Sequence, residues 1–169
     1  MPVDRHTAAA LLVTGLTGGA VLELGSGPRG LAPLLAGRVR RYEALDRSPR
    51  ATAALTAWLT EHRPDDAWHV ATGDLADLPE RGDLTPADVV VAVNLNAFWT
   101  GVPADAFAAV GGHLRPGGTL VLVLETPDPV DARVRPALLA ALDTAGWRWD
   151  EHTDAGGPQR LALTAVPVA

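Results

Sequence analysis

The 169-residue sequence contains no cysteine, no lysine and no isoleucine, a single methionine and only two asparagines. Without Cys there is no disulfide, no thiolate nucleophile and no Cys-ligated zinc or iron–sulfur centre, and no other metal site is expected. All 14 basic residues are Arg and face 20 acids, giving a formal net charge of −6. The densest basic stretch is Arg38-Val39-Arg40-Arg41. A nucleic-acid binder normally carries a basic face, so this balance argues against one. Uninterrupted apolar runs reach only six residues, far short of the ~20 that span a bilayer. The opening Met1-Pro2-Val3-Asp4-Arg5-His6 lacks the basic start, apolar core and cleavage site of a signal peptide. These absences lead us to expect one acidic, cytoplasmic domain over residues 1–169, with no membrane partner. The 30 Ala, set beside the missing Lys and Ile, read as coding bias of a GC-rich gene and carry no functional information.

What is present alternates between solid apolar runs and longer periodic stretches. Ala20-Val21-Leu22-Glu23-Leu24, Val89-Val90-Val91-Ala92-Val93 and Leu120-Val121-Leu122-Val123-Leu124 show little period-two alternation. Strands covered on both faces by helices read this way. The more polar Val39–Leu45 and Trp68–Ala71 suit strands toward a sheet edge. Residues 49–62 place Ala51, Ala54, Leu55, Trp58 and Leu59 on one helical face, and 103–114 and 130–145 show similar stripes. Ser48-Pro49 and Val102-Pro103 put Pro near a first helical turn, where its missing N–H costs nothing. Asp4 or Thr7 is placed to cap a helix running to about Leu16. Near the end, Trp147–Thr153 and Arg160–Val166 flank Asp154-Ala155-Gly156-Gly157-Pro158, a hairpin pattern. The sum is an α/β sheet with helices on both faces and one antiparallel strand.

The most informative segment is Glu23-Leu24-Gly25-Ser26-Gly27-Pro28-Arg29-Gly30. A buried strand enters a Gly-rich turn and then a helix from Leu31 to about Gly37, the arrangement that builds a nucleotide crevice. Taken literally, Gly25-x-Gly27-x-x-Gly30 is also a dinucleotide fingerprint, with Asp46 where an NAD ribose acid would stand. Three features argue otherwise. Glu23 is an acid in a strand that should be buried. Pro28 stands where a dinucleotide loop would present free N–H groups. A further acid, in Thr72-Gly73-Asp74-Leu75, follows the third strand.

On these residues the chain resembles the class I S-adenosylmethionine-dependent methyltransferases over nearly its whole length. Glu23 to Gly30 resembles that family's first motif, Asp46 its ribose-binding acid, and Gly73-Asp74-Leu75 the segment that meets the adenine. Asn94-Leu95-Asn96 falls at the active-site segment, and Leu114-Arg115-Pro116-Gly117-Gly118-Thr119 is similar to the turn into strand five. The resemblance implies a Rossmann-like doubly wound sheet of seven strands in the order 3-2-1-4-5-7-6, strand 7 antiparallel. Within it, 1–19 would form an N-terminal helix, 20–125 the cofactor-binding half, and 126–169 a helix plus the closing hairpin.

The implied cofactor is S-adenosyl-L-methionine, released as S-adenosyl-L-homocysteine. Glu23 would complement its cationic methionine end, and the Gly25 and Gly27 backbone would lie against its middle; Ser26 and Gly30 belong to the same cofactor-binding loop, Gly30 permitting close helix–strand packing. Asp46, beside Arg47, would accept from both ribose hydroxyls. Asp74 would accept from the adenine amino group, with Gly73 and Leu75 beside the ring and Asn94 completing the contacts. Each acid also admits a plain role: Asp46 as a helix cap, Asp74 as a solvated loop acid, Glu23 as partner of a buried Arg.

Asn96 and Trp99 are the expected acceptor contacts, Trp99 and Phe98 having the alternative of lying in the core. His6 joins them because an N-terminal helix in this fold covers the active site. No catalytic residue is assigned, since in-line transfer of an activated methyl needs alignment more than a base. Asn94-Leu95-Asn96 is not the Asn-Pro-Pro-aromatic signature of nucleic-acid amino methylation. The expected activity is therefore methyl transfer to a small-molecule acceptor, with a protein or RNA methyltransferase or a non-catalytic cofactor-binding partner as alternatives. So short a chain implies an open pocket, closed by a large acceptor or by a second subunit in a homodimer.

Overall fold

The computed structural model describes residues 3–168. Residues 1, 2 and 169 of the single domain expected over 1–169 lie outside the described residues.

Seven strands, β1 (Ala20–Leu24), β2 (Arg41–Asp46), β3 (Trp68–Thr72), β4 (Ala87–Val93), β5 (Leu114–Glu125), β6 (Trp147–Glu151) and β7 (Arg160–Pro167), form one sheet. Its order is β3-β2-β1-β4-β5-β7-β6, as the resemblance implies. The first five strands run parallel, while β7 lies antiparallel to both β5 and β6. The helices are α1 (Arg5–Leu16), α2 (Ala32–Leu35), α3 (Pro49–His62), α4 (Pro103–His113) and α5 (Val134–Thr144).

Strand parity sorts the core into two layers. Val21, Tyr42, Val89, Val91, Val121 and Val123 pack with Ala9, Val13, Leu35, Leu55 and Leu59 beneath α1, α2 and α3. Leu22, Leu24, Leu45, Val90, Leu120 and Leu122 pack on the other face with Phe98, Phe107, Val110, Leu138 and Leu142. The β1 pattern is buried throughout, Glu23 included. Fully apolar runs lack alternation because both faces need apolar cover.

Local signals held where they were chemical. Asp4 caps α1, its side chain accepting from the His6 and Thr7 N–H groups. Ser48, not Asp46, caps α3, its hydroxyl accepting from Ala51 N–H at 3.2 Å. β3 is the sheet edge and β2 lies one strand in. There the buried carboxylate of Glu43 takes Arg41 and the Thr85 N–H.

Boundaries differ where distant pairing decides. The helix expected over 31–37 shrinks to Ala32–Leu35, with Pro33 in its first turn and Gly37 at φ +78° beyond it. The helical stripe over 130–145 breaks at Arg133 (φ −148°), so a 3₁₀ turn at Val130–Ala132 precedes α5. Leu114–Thr119, expected as a turn, is already the start of β5: Leu114 pairs with Ala87 across an irregular register.

Candidate active site

All five parallel strands end on one side of the sheet, and the loops leaving them build the site. Gly25 to Gly30 follows β1, Asp46 ends β2 with Arg47 next after it, Gly73-Asp74 follows β3 and Asn94 follows β4. Brought together, they line a cavity of about 530 Å³ formed by Gly25, Asp46, Arg47, Gly73, Asp74, Leu75, Asn94 and Asn96, with Leu24, Leu45, Leu95, Ala97 and Thr100. A second cavity, about 580 Å³, lies across Gly25 and Asn94, which border both. Ser26, Gly27, Gly30 and His6 line it, along with Arg5, Arg29, Pro33, Leu34 and Val93.

The acids of the first cavity are held by backbone. Asp46 Oδ2 accepts from Gly27 N–H and Oδ1 from Ser48 N–H, each at 2.8 Å. Both oxygens keep a second lone pair for a ligand hydroxyl. Asp74 caps a 3₁₀ turn over Leu75–Glu80: its carboxylate accepts from Ala76 N–H at 3.1 Å, and Asp77 reciprocates on the Asp74 N–H. Asn94 stands at φ +56°, a left-handed conformation that Asn tolerates. Its Oδ1 accepts from Glu125 N–H at 2.7 Å, which ties the end of β4 to the end of β5.

Glu23 and Trp99 line neither cavity. Parity turns Glu23 toward the α2 side, under the loop, where it is 2% exposed. Its Oε2 accepts from Leu31 N–H at 2.8 Å and from the Tyr42 hydroxyl at 2.5 Å. Its partner is thus a tyrosine and a backbone amide, not a buried Arg. Burial pushes this carboxyl up to about 7, against the two hydrogen bonds that favour its charged form. Trp99 packs against the core, with the Arg133 guanidinium 5.5 Å over its ring, and Phe98 is wholly buried.

The raised Glu23 pKa has a stability consequence. Between the carboxylate's ordinary 4.5 and about 7, the folded chain holds a proton that the unfolded chain has lost. The stabilisation is complete below the unfolded value and disappears as pH rises through the folded one. Relative to Glu23→Gln, the wild type is expected to lose about 2 to 3 kcal/mol between pH 5 and pH 8, measured by urea unfolding at each pH. A constant gap between the two proteins would contradict this titration.

The loop amides decide between ligands. Gly25 N–H goes to Leu45 O, Gly27 N–H to Asp46 and Leu31 N–H to Glu23. A pyrophosphate needs such N–H groups turned outward at a helix start. Here they turn inward, onto two carboxylates and a carbonyl, and α2 is one turn long. The same loop leaves open space where a Gly27 Cβ would project (φ +60°), so a flat, hydroxyl-bearing ligand can lie against it. With these three amides committed inward, the donor set suits a hydroxyl-bearing nucleoside better than a pyrophosphate.

A family model described as a methyltransferase domain matches residues 21–118. The chain belongs to this family, as a class I S-adenosylmethionine-dependent methyltransferase. No curated protein matches the sequence. Among solved structures, the glycopeptide N-methyltransferase MtfA is 20% identical, with TM-score 0.76 over 98% of this chain and 91% of that one. An S-adenosylmethionine-dependent methyltransferase from Clostridium acetobutylicum is 11% identical, with TM-score 0.79 over 99% and 93%. A DhpI–SAM–HEP complex is 21% identical, with TM-score 0.73 over 95% and 85%. These likenesses concern the fold.

Sequence reasoning missed Arg5 and Arg29, which border the second cavity. Arg5 follows directly on the Asp4 cap, so the capped first turn that presents His6 could have pointed to it. Among the described residues no group of three or more His, Asp or Glu is arranged to hold a metal. No helix of these residues is long and apolar enough to cross a membrane.

Proposed function

We propose that this methyltransferase acts on a small-molecule acceptor, with its cofactor laid across the two cavities that share Gly25 and Asn94. The observation carrying the reading is the commitment of the Gly27 and Leu31 amides to Asp46 and Glu23, beside the Asp46 and Asp74 carboxylates that line the first cavity. Asp46 would take the ribose hydroxyls, Asp74 the adenine amino group, and Leu75 and Leu95 the ring faces. The methionine end would run past Gly27 toward Arg5, whose guanidinium complements a carboxylate. When bound, the cofactor supplies an activated methyl carbon, and the chain's task is alignment. Structures of MtfA with S-adenosylmethionine, sinefungin and S-adenosylhomocysteine support this choice of ligand by analogy of fold. Glu23 acts in this reading from below, fixing the loop rather than touching the ligand.

The acceptor approaches over Asn94 and Asn96, where the mouth is open. The net charge of −6 disfavours a polyanionic acceptor, and closure by a second copy of the chain belongs to the same proposal. Calorimetric titration tests the cofactor assignment. S-adenosylmethionine and S-adenosylhomocysteine are expected to bind with measurable heat, and NAD and NADP to give none. Binding of a nicotinamide dinucleotide alone would sink the reading.

A further inference from the structure

The first turn of α1 is fastened over the carboxyl ends of β4 and β5 by contacts of its own. Arg160 donates to the Val3 carbonyl at 2.7 Å and through Nε to Glu125 at 2.7 Å. Glu125 also meets Arg5 at 3.5 Å, and its backbone N–H holds Asn94. Asp4 closes the helix end. One residue of this turn presents an imidazole: His6 lines the second cavity together with the glycine loop and Asn94. Its Nδ1 lies 3.8 Å from Asp4 Oδ1, and among the described residues Nε2 has no hydrogen-bond partner.

The other imidazoles are placed elsewhere. His62 stacks on Trp58, His69 pairs with Asp83 at 3.2 Å, and His152 bonds to Thr164 at 2.9 Å. His113 is buried. None of them lines either cavity.

We propose that His6 is the proton acceptor of the transfer reaction, its Nε2 facing the acceptor atom at the mouth shared with Asn94. This rests on the methyl-transfer reading above. The acceptor's lone pair forms the bond to the methyl carbon as the carbon–sulfur bond breaks and its electron pair stays on sulfur. The N–H or O–H proton of the acceptor, acidified by the new bond, passes to Nε2, so charge and atoms balance. A base for this step must be neutral near pH 7. Burial and the neighbouring Arg5 hold the His6 pKa below the ordinary imidazole value, against Asp4 and Glu125, which favour its charged form. Arg29 is the remaining charged group on the cavity wall.

The test needs no identified acceptor. Sinefungin carries an ammonium where the cofactor carries its methyl, whereas S-adenosylhomocysteine carries no charge there. NMR titration of the five imidazoles, with the His6 signal assigned through His6→Ala, compares the two saturated complexes. A group facing the methyl position feels that extra positive charge. The proton affinity of His6 is expected to be at least threefold weaker in the sinefungin complex, while His62, on α3, is unchanged. Equal His6 titration in the two complexes overturns the assignment while leaving the cofactor reading intact. If calorimetry shows that neither ligand binds, both fall.

Discussion

Replacing Asp46 with Ala is expected to weaken S-adenosylhomocysteine binding by about 100-fold, measured by calorimetry. Two effects of the same sign contribute. A hydrogen bond from a ligand hydroxyl to a carboxylate is worth roughly 1.5–3 kcal/mol, or about 10- to 150-fold in affinity. The carboxylate also holds the Gly27 and Ser48 N–H groups, so its loss frees the middle of the glycine loop and adds an ordering cost to binding. The 2′-deoxy analogue of the ligand separates the two. In the wild type it is expected to bind about tenfold more weakly than the parent, for one lost charged hydrogen bond. In Asp46→Ala both should bind equally weakly. Unchanged affinity in the variant would reduce Asp46 to a loop brace, and a persistent preference for the parent ligand would move ribose recognition elsewhere.

That the position of Asp46 at the crevice was legible in the sequence, while the partners of Glu23 were not, follows from where the information lies. Asp46 stands at the end of a strand and just before Ser48-Pro49, a helix start, so its exit into the crevice is a local matter of chain direction. Ser48 then takes the capping role, which frees Asp46 from it. The glycine loop was equally legible, because a strand, three closely spaced glycines and a helix constrain the backbone within ten residues. Glu23 is different. Parity with Val21 already put it on the face opposite Leu22 and Leu24, but its partners come from Tyr42, 19 residues away on the next strand, and from the folded-over Leu31. No period in the sequence encodes that meeting.

The same distinction explains the misplaced boundaries. Residues 49–62 carry both a cap and a stripe, and α3 has the expected limits. Leu114–Gly118 has turn chemistry, yet its pairing with Ala87 makes it strand. Tertiary pairing there overrides local preference. Trp99 was expected at the acceptor because it follows Asn94-Leu95-Asn96 in a segment expected to be partly open. The 3₁₀ turn at Asn96–Phe98 reverses the chain, so Phe98 enters the core and Trp99 packs beside it under Arg133. Asn96 and Thr100, on the outer side of that turn, are the residues left facing the crevice.

Gly30→Ala is expected to destabilise the protein by about 3 to 5 kcal/mol, read from urea unfolding at pH 7. Gly30 sits at φ +49°, where a Cβ is disfavoured, and that Cβ would lie 2.6 Å from both carboxylate oxygens of Glu23. The left-handed backbone alone costs roughly 1–2 kcal/mol for a non-glycine residue. The clash adds more because Glu23 has nowhere to retreat: it is 2% exposed and anchored by Tyr42 and Leu31. Moving it breaks one or both of these buried hydrogen bonds, at roughly 1–3 kcal/mol for a group left unsatisfied. Shortening the acid isolates the clash from the backbone strain. Glu23→Asp withdraws the oxygens, so the further cost of Gly30→Ala in that background should fall to the 1–2 kcal/mol of the backbone alone. An equal cost in both backgrounds would show that the glycine is needed for its dihedral angles only. A cost that collapses would show that the first glycine loop is seated directly on Glu23, and that this acid shapes the cofactor site from underneath.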